Sequence, residues 1–236
     1  KKDLVDDDWL ELVTSDITDA LRGTGQEQSK ILPVSSQTGE GLPELLNALD
    51  TLLENSNEGI VNGKPRLPID RAFTVAGFGA VVTGTLIGGS LAVGDEIELV
   101  PSGQKGRVRG VQTHKQKTDL GLPGSRVAAN ISGISHENIV RGQVLTSRGW
   151  LKASEALDVR LRIISGSPVS IKHNAPIMFH LGTSETLAWI RLLDVQELEP
   201  GESGWAQIRL QNPIAAVKGD LFVIRSHRGT LGGGEV

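Results

Sequence analysis

The 236-residue chain contains no cysteine, so neither a disulfide framework nor a thiolate metal site can be built from it. Its five histidines are too scattered along the sequence to suggest a metal centre. No run approaches the roughly 18 apolar residues of a membrane helix, and no signal-peptide pattern opens the chain. These absences lead to the expectation of a soluble, cytoplasmic protein without membrane partners. A GxxxxGK[ST] loop to cradle phosphates is also missing, and no magnesium-binding aspartate can be placed on a strand before one. The chain alone is therefore not expected to hydrolyse a nucleotide. Aromatic residues are few, four tryptophans and four phenylalanines, whereas glycines number 29, a composition that suits many short strands joined by turns.

The net charge of −4 averages two unlike parts. Residues 1–64 carry five Lys/Arg against thirteen Asp/Glu, net −8, and the remainder carries nineteen against fifteen, net +4. A polyanion would meet the second part, in a salt-dependent manner, although a surplus this small equally describes ordinary solvated charge.

In the acidic part, Asp6-Asp7-Asp8 precede Trp9, Leu10, Leu12, Val13, Ile17 and Leu21, an apolar stripe at helical spacing with acids at the positive end of the dipole. Ile31 to Ser35 reads as a short strand. Thr38-Gly39-Glu40-Gly41 then turns into a second helix with its stripe at Leu42, Leu45, Leu46, Leu49, Leu52 and Leu53. Helix, strand, helix cannot build a sheet core alone, so this segment reads as the tail of an α/β domain. The residues from Asn55 to Lys64 suit a linker.

After Pro65 the texture becomes short strands with turns at Gly88-Gly89, Gly94-Asp95, Pro101-Ser102-Gly103, Pro123-Gly124, Pro200-Gly201 and Gly219-Asp220. That density predicts a mainly β fold of two antiparallel barrels. The first ends near Leu145 to Arg148; the second begins where Val159, Leu161 and Ile163 alternate with Arg160 and Arg162. The chain is organised around IDRAFTVAGFGAVVTGTL, Ile69 to Leu86. Ile69, Arg71, Phe73 and Val75 share a face if extended, Gly77-Phe78-Gly79 interrupt, and Ala80 to Leu86 resume the strand. Glycines between two strand patterns make a hairpin, not a phosphate loop. The four tryptophans read as core or turn residues.

This block resembles the start of the second domain of translational GTPases. Together with Ile69-Asp70-Arg71, RVAANISGISHENIVRGQVL from Arg126 to Leu145, NPIAAVKGDLFVIRS and TLGGG, it resembles the SelB family, elongation factors specific for selenocysteine. The resemblance covers nearly the whole chain. It implies residues 1–58 as the C-terminal part of a GTPase domain, 59–64 as a linker, 65–149 as the domain II barrel and 150–236 as the domain III barrel. Because Lys1 falls inside an apparent motif, the sequence is expected to be an internal piece of a longer protein.

By that resemblance, Lys1 and Asp3 match the end of the Asn-Lys-x-Asp guanine motif. Ser35, Ser36 and Gln37 match the later loop whose amide meets the guanine oxygen, with Ser36 in place of the usual alanine. GTP or GDP and Mg2+ belong to the intact parent, and none is expected to bind this chain tightly. Asp70, Arg71 and Arg126 are implied to line the site for the aminoacyl end of selenocysteyl-tRNA. A selenol is more acidic than a thiol, so the side chain is largely anionic at neutral pH, and guanidiniums suit it. Adjacent strand residues face opposite ways, so Asp70 and Arg71 cannot enter one pocket from an ideal strand; a bulge, a rim pocket or an outward partner would resolve this. An ordinary surface ion pair and a solvated strand-end charge remain the alternatives.

His114 and Lys115, with Lys117 in the same loop, and Arg160, Arg162, Lys172, His173 and His180 in the second barrel are candidate contacts to the tRNA backbone. The implied partners are selenocysteyl-tRNA, the ribosome and an mRNA hairpin. A region expected beyond Val236 would read the hairpin, so this chain is not expected to. The alternatives are a general EF-Tu-like carrier of aminoacyl-tRNA and a non-enzymatic barrel module that binds the ribosome or a protein.

Overall fold

The structure, a computed structural model, describes residues 1–55, 63–75, 77 and 79–236. The chain divides into two compact units, Lys1–Glu58 and Gly59–Val236. The expected linker, 59–64, lies mostly outside the described residues, as do Ala76 and Phe78.

The first unit holds helices α1 (Asp7–Leu21) and α2 (Leu42–Glu54). Asp6 caps α1 by accepting the Trp9 amide at 2.9 Å. Neither helix buries a residue: Trp9, Leu12, Leu46, Leu49 and Leu52 of the two apolar stripes are all exposed. The strand expected over Ile31–Ser35 does not form. A strand exists only by pairing, and no ladder among the described residues reaches these; Val34 O instead accepts from the Lys1 α-amino group at 3.0 Å and the Lys2 backbone amide at 3.1 Å.

The second unit begins with β1 (Pro65–Pro68), β2 (Arg71–Val75), β3 (Gly79–Thr85), β4 (Ile87–Gly88), β5 (Leu91–Ala92), β6 (Glu96–Val100) and β7 (Gln104–Thr113). It continues through β8 (Gln116–Thr118), β9 (Leu120–Gly121), β10 (Arg126–Ser132) and β11 (Val144–Ser147). Nine of these form one sheet in the order β2-β3-β10-β7-β6-β11-β1-β4, with β8 on β7. Because β4 continues β3 after Leu86 and pairs with β1, the two ends of the sheet are carried by one run of chain, and the sheet curls around its core. Leu67, Ile69, Val82, Leu86, Leu99, Val127 and Leu145 fill it.

The second barrel comprises β12 (Ala153–Ile163), β13 (Ile171–Lys172), β14 (Ala175–Leu181), β15 (Ser184–Leu192), β16 (Glu197–Leu198), β17 (Ser203–Ala215), β18 (Leu221–Ser226) and β19 (Gly229–Glu235). Six of them close as β12-β17-β15-β14-β18-β19, around a stacked pair, Phe179 and Phe222, 5.0 Å apart. The expected alternation on β12 holds, with Val159, Leu161 and Ile163 buried and Arg160 and Arg162 exposed. Trp150 lies in a turn. Trp189 and Trp205 are neither core nor turn but stand on the outer face of β15 and β17, where the strand period points them to solvent.

A joint connects the barrels. The Arg66 guanidinium donates to both Asp220 oxygens at 2.8 and 2.7 Å, and both side chains are largely buried, 16% and 12% exposed. Val100 and Val144 of the first barrel pack with Ala215 of the second. No helix among the described residues is long and apolar enough to cross a membrane.

Candidate functional site

The hairpin predicted at Ile69 to Leu86 forms, with Arg71 opposite Thr83, Phe73 opposite Val81 and Val75 opposite Gly79. Gly77 and Gly79 take left-handed backbone, φ 80° and 83°, where a side chain is strained. One detail differs from the sequence reading. Ile69 does not share a face with Arg71, Phe73 and Val75: it is buried, while those three are exposed. The cause is a bend at Asp70, between β1 and β2, which breaks the alternation. Asp70 and Arg71 are therefore not successive residues of one strand.

The bend brings Asp70 to Arg126. Arg126 Nη1 donates to Asp70 Oδ2 at 2.6 Å and Nη2 donates to Oδ1 at 3.1 Å, a forked pair. Thr83 Oγ1 also donates to Oδ1 at 2.7 Å, and the Asp70 amide donates to the Thr83 carbonyl at 2.9 Å. The Arg71 side chain makes no hydrogen bond or ion pair among the described residues, but its charge acts on the same carboxylate. Partial burial pushes the Asp70 carboxyl up. Hydrogen bonds from Arg126 and Thr83, with the charges of both arginines, outweigh that and hold it below its ordinary value. The same carboxylate holds Arg126 above its own usual value.

A depressed carboxylate contributes stability above its unfolded pKa and loses it as pH falls through the folded value. Asp70→Asn is thus expected to lower the thermal midpoint of this chain at neutral pH, and the difference from wild type is expected to shrink below about pH 4. A difference that persists unchanged down to pH 2 would contradict this coupling.

A groove of about 690 Å³ crosses the outer face of β2, β3, β10, β7 and β8, lined in part by Phe73, Val81, Gln112, Ala128 and Asn130. Arg126 lies two residues before Ala128 on β10, and Arg71 two before Phe73 on β2, so the arginine pair stands at one end of this face. The groove and Thr83 are not visible in the sequence pattern. Their signal is the cross-strand register Arg71–Thr83–Ala128–Gln112, which requires the pairing to be known.

The remaining candidates divide. In the first unit, Lys1 and Lys2 are tied to Val34, and buried Ser35 Oγ accepts the Gln37 and Thr38 amides, both at 3.2 Å. Lys1 and the 35–37 loop are thus adjacent, with Asp3, Ser36 and Gln37 exposed. Lys2 rather than Lys1 forms an ion pair, with Glu40 at 2.6 Å. Elsewhere His114 and Lys115 form the β7–β8 turn at positive φ, and Arg160 and Arg162 share one face of β12. Lys172 and His173 lie at a separate two-stranded sheet, and His180 faces Glu185 at 3.8 Å. These are not gathered into one site.

Residues 79–146 match the family described as elongation factor Tu domain 2, and residues 158–236 match the selenocysteine-specific elongation factor β-barrel domain. Both matched families are domains of translation elongation factors. A selenocysteine-specific elongation factor of Desulfomicrobium baculatum is 40% identical over all of this chain, which covers 38% of that protein. One from Methanocaldococcus jannaschii is 27% identical over 95% of the chain and 51% of its own length. The chain therefore spans roughly two fifths to one half of these relatives. Among solved structures, apo SelB from Methanococcus maripaludis shares the fold over the whole chain and 56% of its own, at TM-score 0.88 and 24% identity. A bacterial selenocysteine-specific factor, EF-Sec, follows at TM-score 0.83 and 25% identity over 99% of this chain and 38% of its own. Over its whole length the chain is thus similar to selenocysteine-specific elongation factors, and its second barrel matches the β-barrel domain of that family.

Proposed function

We propose that the chain is the part of a selenocysteine-specific elongation factor that holds the aminoacyl end of selenocysteyl-tRNA, which the intact GTP-bound factor delivers to the ribosome. In this reading residues 1–58 complete a GTPase domain and supply part of its guanine site, 59–64 form the linker, and 65–149 and 150–236 are the two barrels. The observation that carries it is the charge balance at Asp70. Arg126 is forked onto that carboxylate while Arg71, whose charge also acts on it, has no ion pair among the described residues, which leaves one positive charge unmatched at the end of a groove whose wall mixes Phe73, Val81 and Ala128 with Arg109, Lys117 and Asp119.

A selenolate is a monoanion and satisfies that surplus. A serine hydroxyl is neutral and leaves a guanidinium short of an acceptor. Arg71, which has no ion pair among the described residues, is the freer donor, and Arg126 offers the N–H groups that its fork leaves over. Arg160 and Arg162 would contact the RNA backbone, a positioning role that carries no sequence information.

The test uses the full-length factor with GTP and one tRNA charged with selenocysteine or serine. Arg71→Ala and Arg126→Ala are each expected to reduce the preference for the selenocysteyl form by about tenfold to a hundredfold, the effect of losing one charge-assisted hydrogen bond. Equal losses on both tRNAs would remove the arginines from selectivity. Equal tight binding of both forms by the unaltered factor would indicate a general carrier.

A further inference from the structure

We infer that Thr83 is a positioning residue of the anion site: its hydroxyl fixes the Asp70 carboxylate in the plane from which that carboxylate orients Arg126. The inference rests on the reading of this site as the selenocysteyl pocket. Asp70 sits in the bend between β1 and β2, so no ladder holds it; the residue that holds it is on β3. The Asp70 amide donates to the Thr83 carbonyl at 2.9 Å, and the Thr83 hydroxyl donates back to Oδ1 at 2.7 Å. Backbone and side chain of one residue are thus each tied to the same partner.

Those two ties define the carboxylate. Oδ1 takes both Thr83 Oγ1 and Arg126 Nη2, and Oδ2 takes Arg126 Nη1. A forked guanidinium needs both oxygens in its own plane, and a carboxylate with one oxygen anchored to a strand cannot swing out of it. In the ladder Thr83 faces Arg71 on one side and Ala128 on the other, so it stands between the two strands that bear the arginines. Without the hydroxyl, Asp70 is free to turn toward either guanidinium, and the incoming side chain meets an arginine whose direction is no longer set. Sequence reading passes over Thr83 because a threonine in a β-rich run is what any strand contains.

The test compares Thr83→Val, which keeps the β-branch and removes the hydroxyl, with Thr83→Ser, which keeps the hydroxyl. In this chain, carbon-13 NMR follows the titration of the Asp70 carboxyl. Thr83→Val is expected to move its midpoint up toward the ordinary aspartate value, and Thr83→Ser to leave it near wild type. In the full-length factor with GTP, binding of one tRNA charged with selenocysteine or serine is measured for the same variants. Thr83→Val is expected to narrow the preference by about tenfold, and Thr83→Ser to retain it. An Asp70 titration unchanged in Thr83→Val overturns the inference. So does a uniform loss on both tRNAs with the preference intact, because it assigns Thr83 to folding alone. A wild-type factor with no preference sinks the pocket reading instead, and the titration then decides by itself whether Thr83 fixes the carboxylate.

Discussion

Gly234→Ala is expected to prevent the second barrel from closing. Gly234 lies on β19, opposite Leu161 of β12 on one side and Phe222 of β18 on the other, so it sits in the seam of the closed sheet. A Cβ added there would stand 1.8 Å from the Arg160 carbonyl oxygen and 3.2 Å from Phe222 Cζ. Its neighbours are as tight, at 2.2 Å from Arg162 O for Gly232 and 2.4 Å from Phe222 O for Gly233. None of the three has positive φ, so space and not backbone freedom demands glycine. The obstructing atoms are backbone, which can move only if the ladder moves. Overpacking of ordinary cores costs about 1 to 3 kcal/mol, and a displaced seam strand adds its lost pairing, so a loss above about 4 kcal/mol is expected. Denaturant unfolding measures it, with Gly166→Ala as control: no atom lies within 4 Å of that added Cβ, and a change within about 0.5 kcal/mol is expected. A Gly234→Ala protein as stable as the control would mean that the seam is slack.

Asp220→Ala is expected to cost about 3 to 5 kcal/mol, the penalty for leaving one member of a buried ion pair unpaired. It strands the Arg66 guanidinium, only 16% exposed, and removes the acceptor of the Val217 amide at 3.0 Å. The cost lies in the orphaned charge rather than in the pair, so Arg66→Met combined with Asp220→Leu is expected to be far less damaging than Asp220→Ala alone. A double change that costs as much as Asp220→Ala alone would show that the pair itself, and not the orphaned charge, stabilises the joint.

The parts of this molecule that were legible in the sequence are those whose cause is local. Val159 to Ile163 announce an outward-inward alternation, Gly77 and Gly79 announce a hairpin, and Asp6 announces a helix start; each follows from a few neighbouring residues. Ile31–Ser35 has the composition of a strand, but a strand is a relation between two segments, and no described segment pairs with it. Ile69 takes the face opposite to the one its spacing suggests for a related reason. The alternation rule assumes continuous extension, and the bend at Asp70 is held by Thr83, thirteen residues later. The arginines at the site were visible only through family resemblance, because an exposed arginine on a strand looks the same whether or not a carboxylate holds it. TLGGG was recognisable as a motif, but its reason, three close approaches to the backbone of β12 and β18, exists only in the closed barrel.

Between the joint and the site runs a very short piece of chain. Arg66 is bound to the second barrel, Pro68 packs within 3.5 Å of the place a Gly182 side chain would take, and Asp70 follows directly. The Pro68 carbonyl presses so closely on β3 that a side chain at Gly84 would meet it at 2.2 Å. Such a run has little room to stretch or buckle, so it works as a strut. Three residues, 67–69, are thus all that separates the anchor on the second barrel from the carboxylate that binds Arg126.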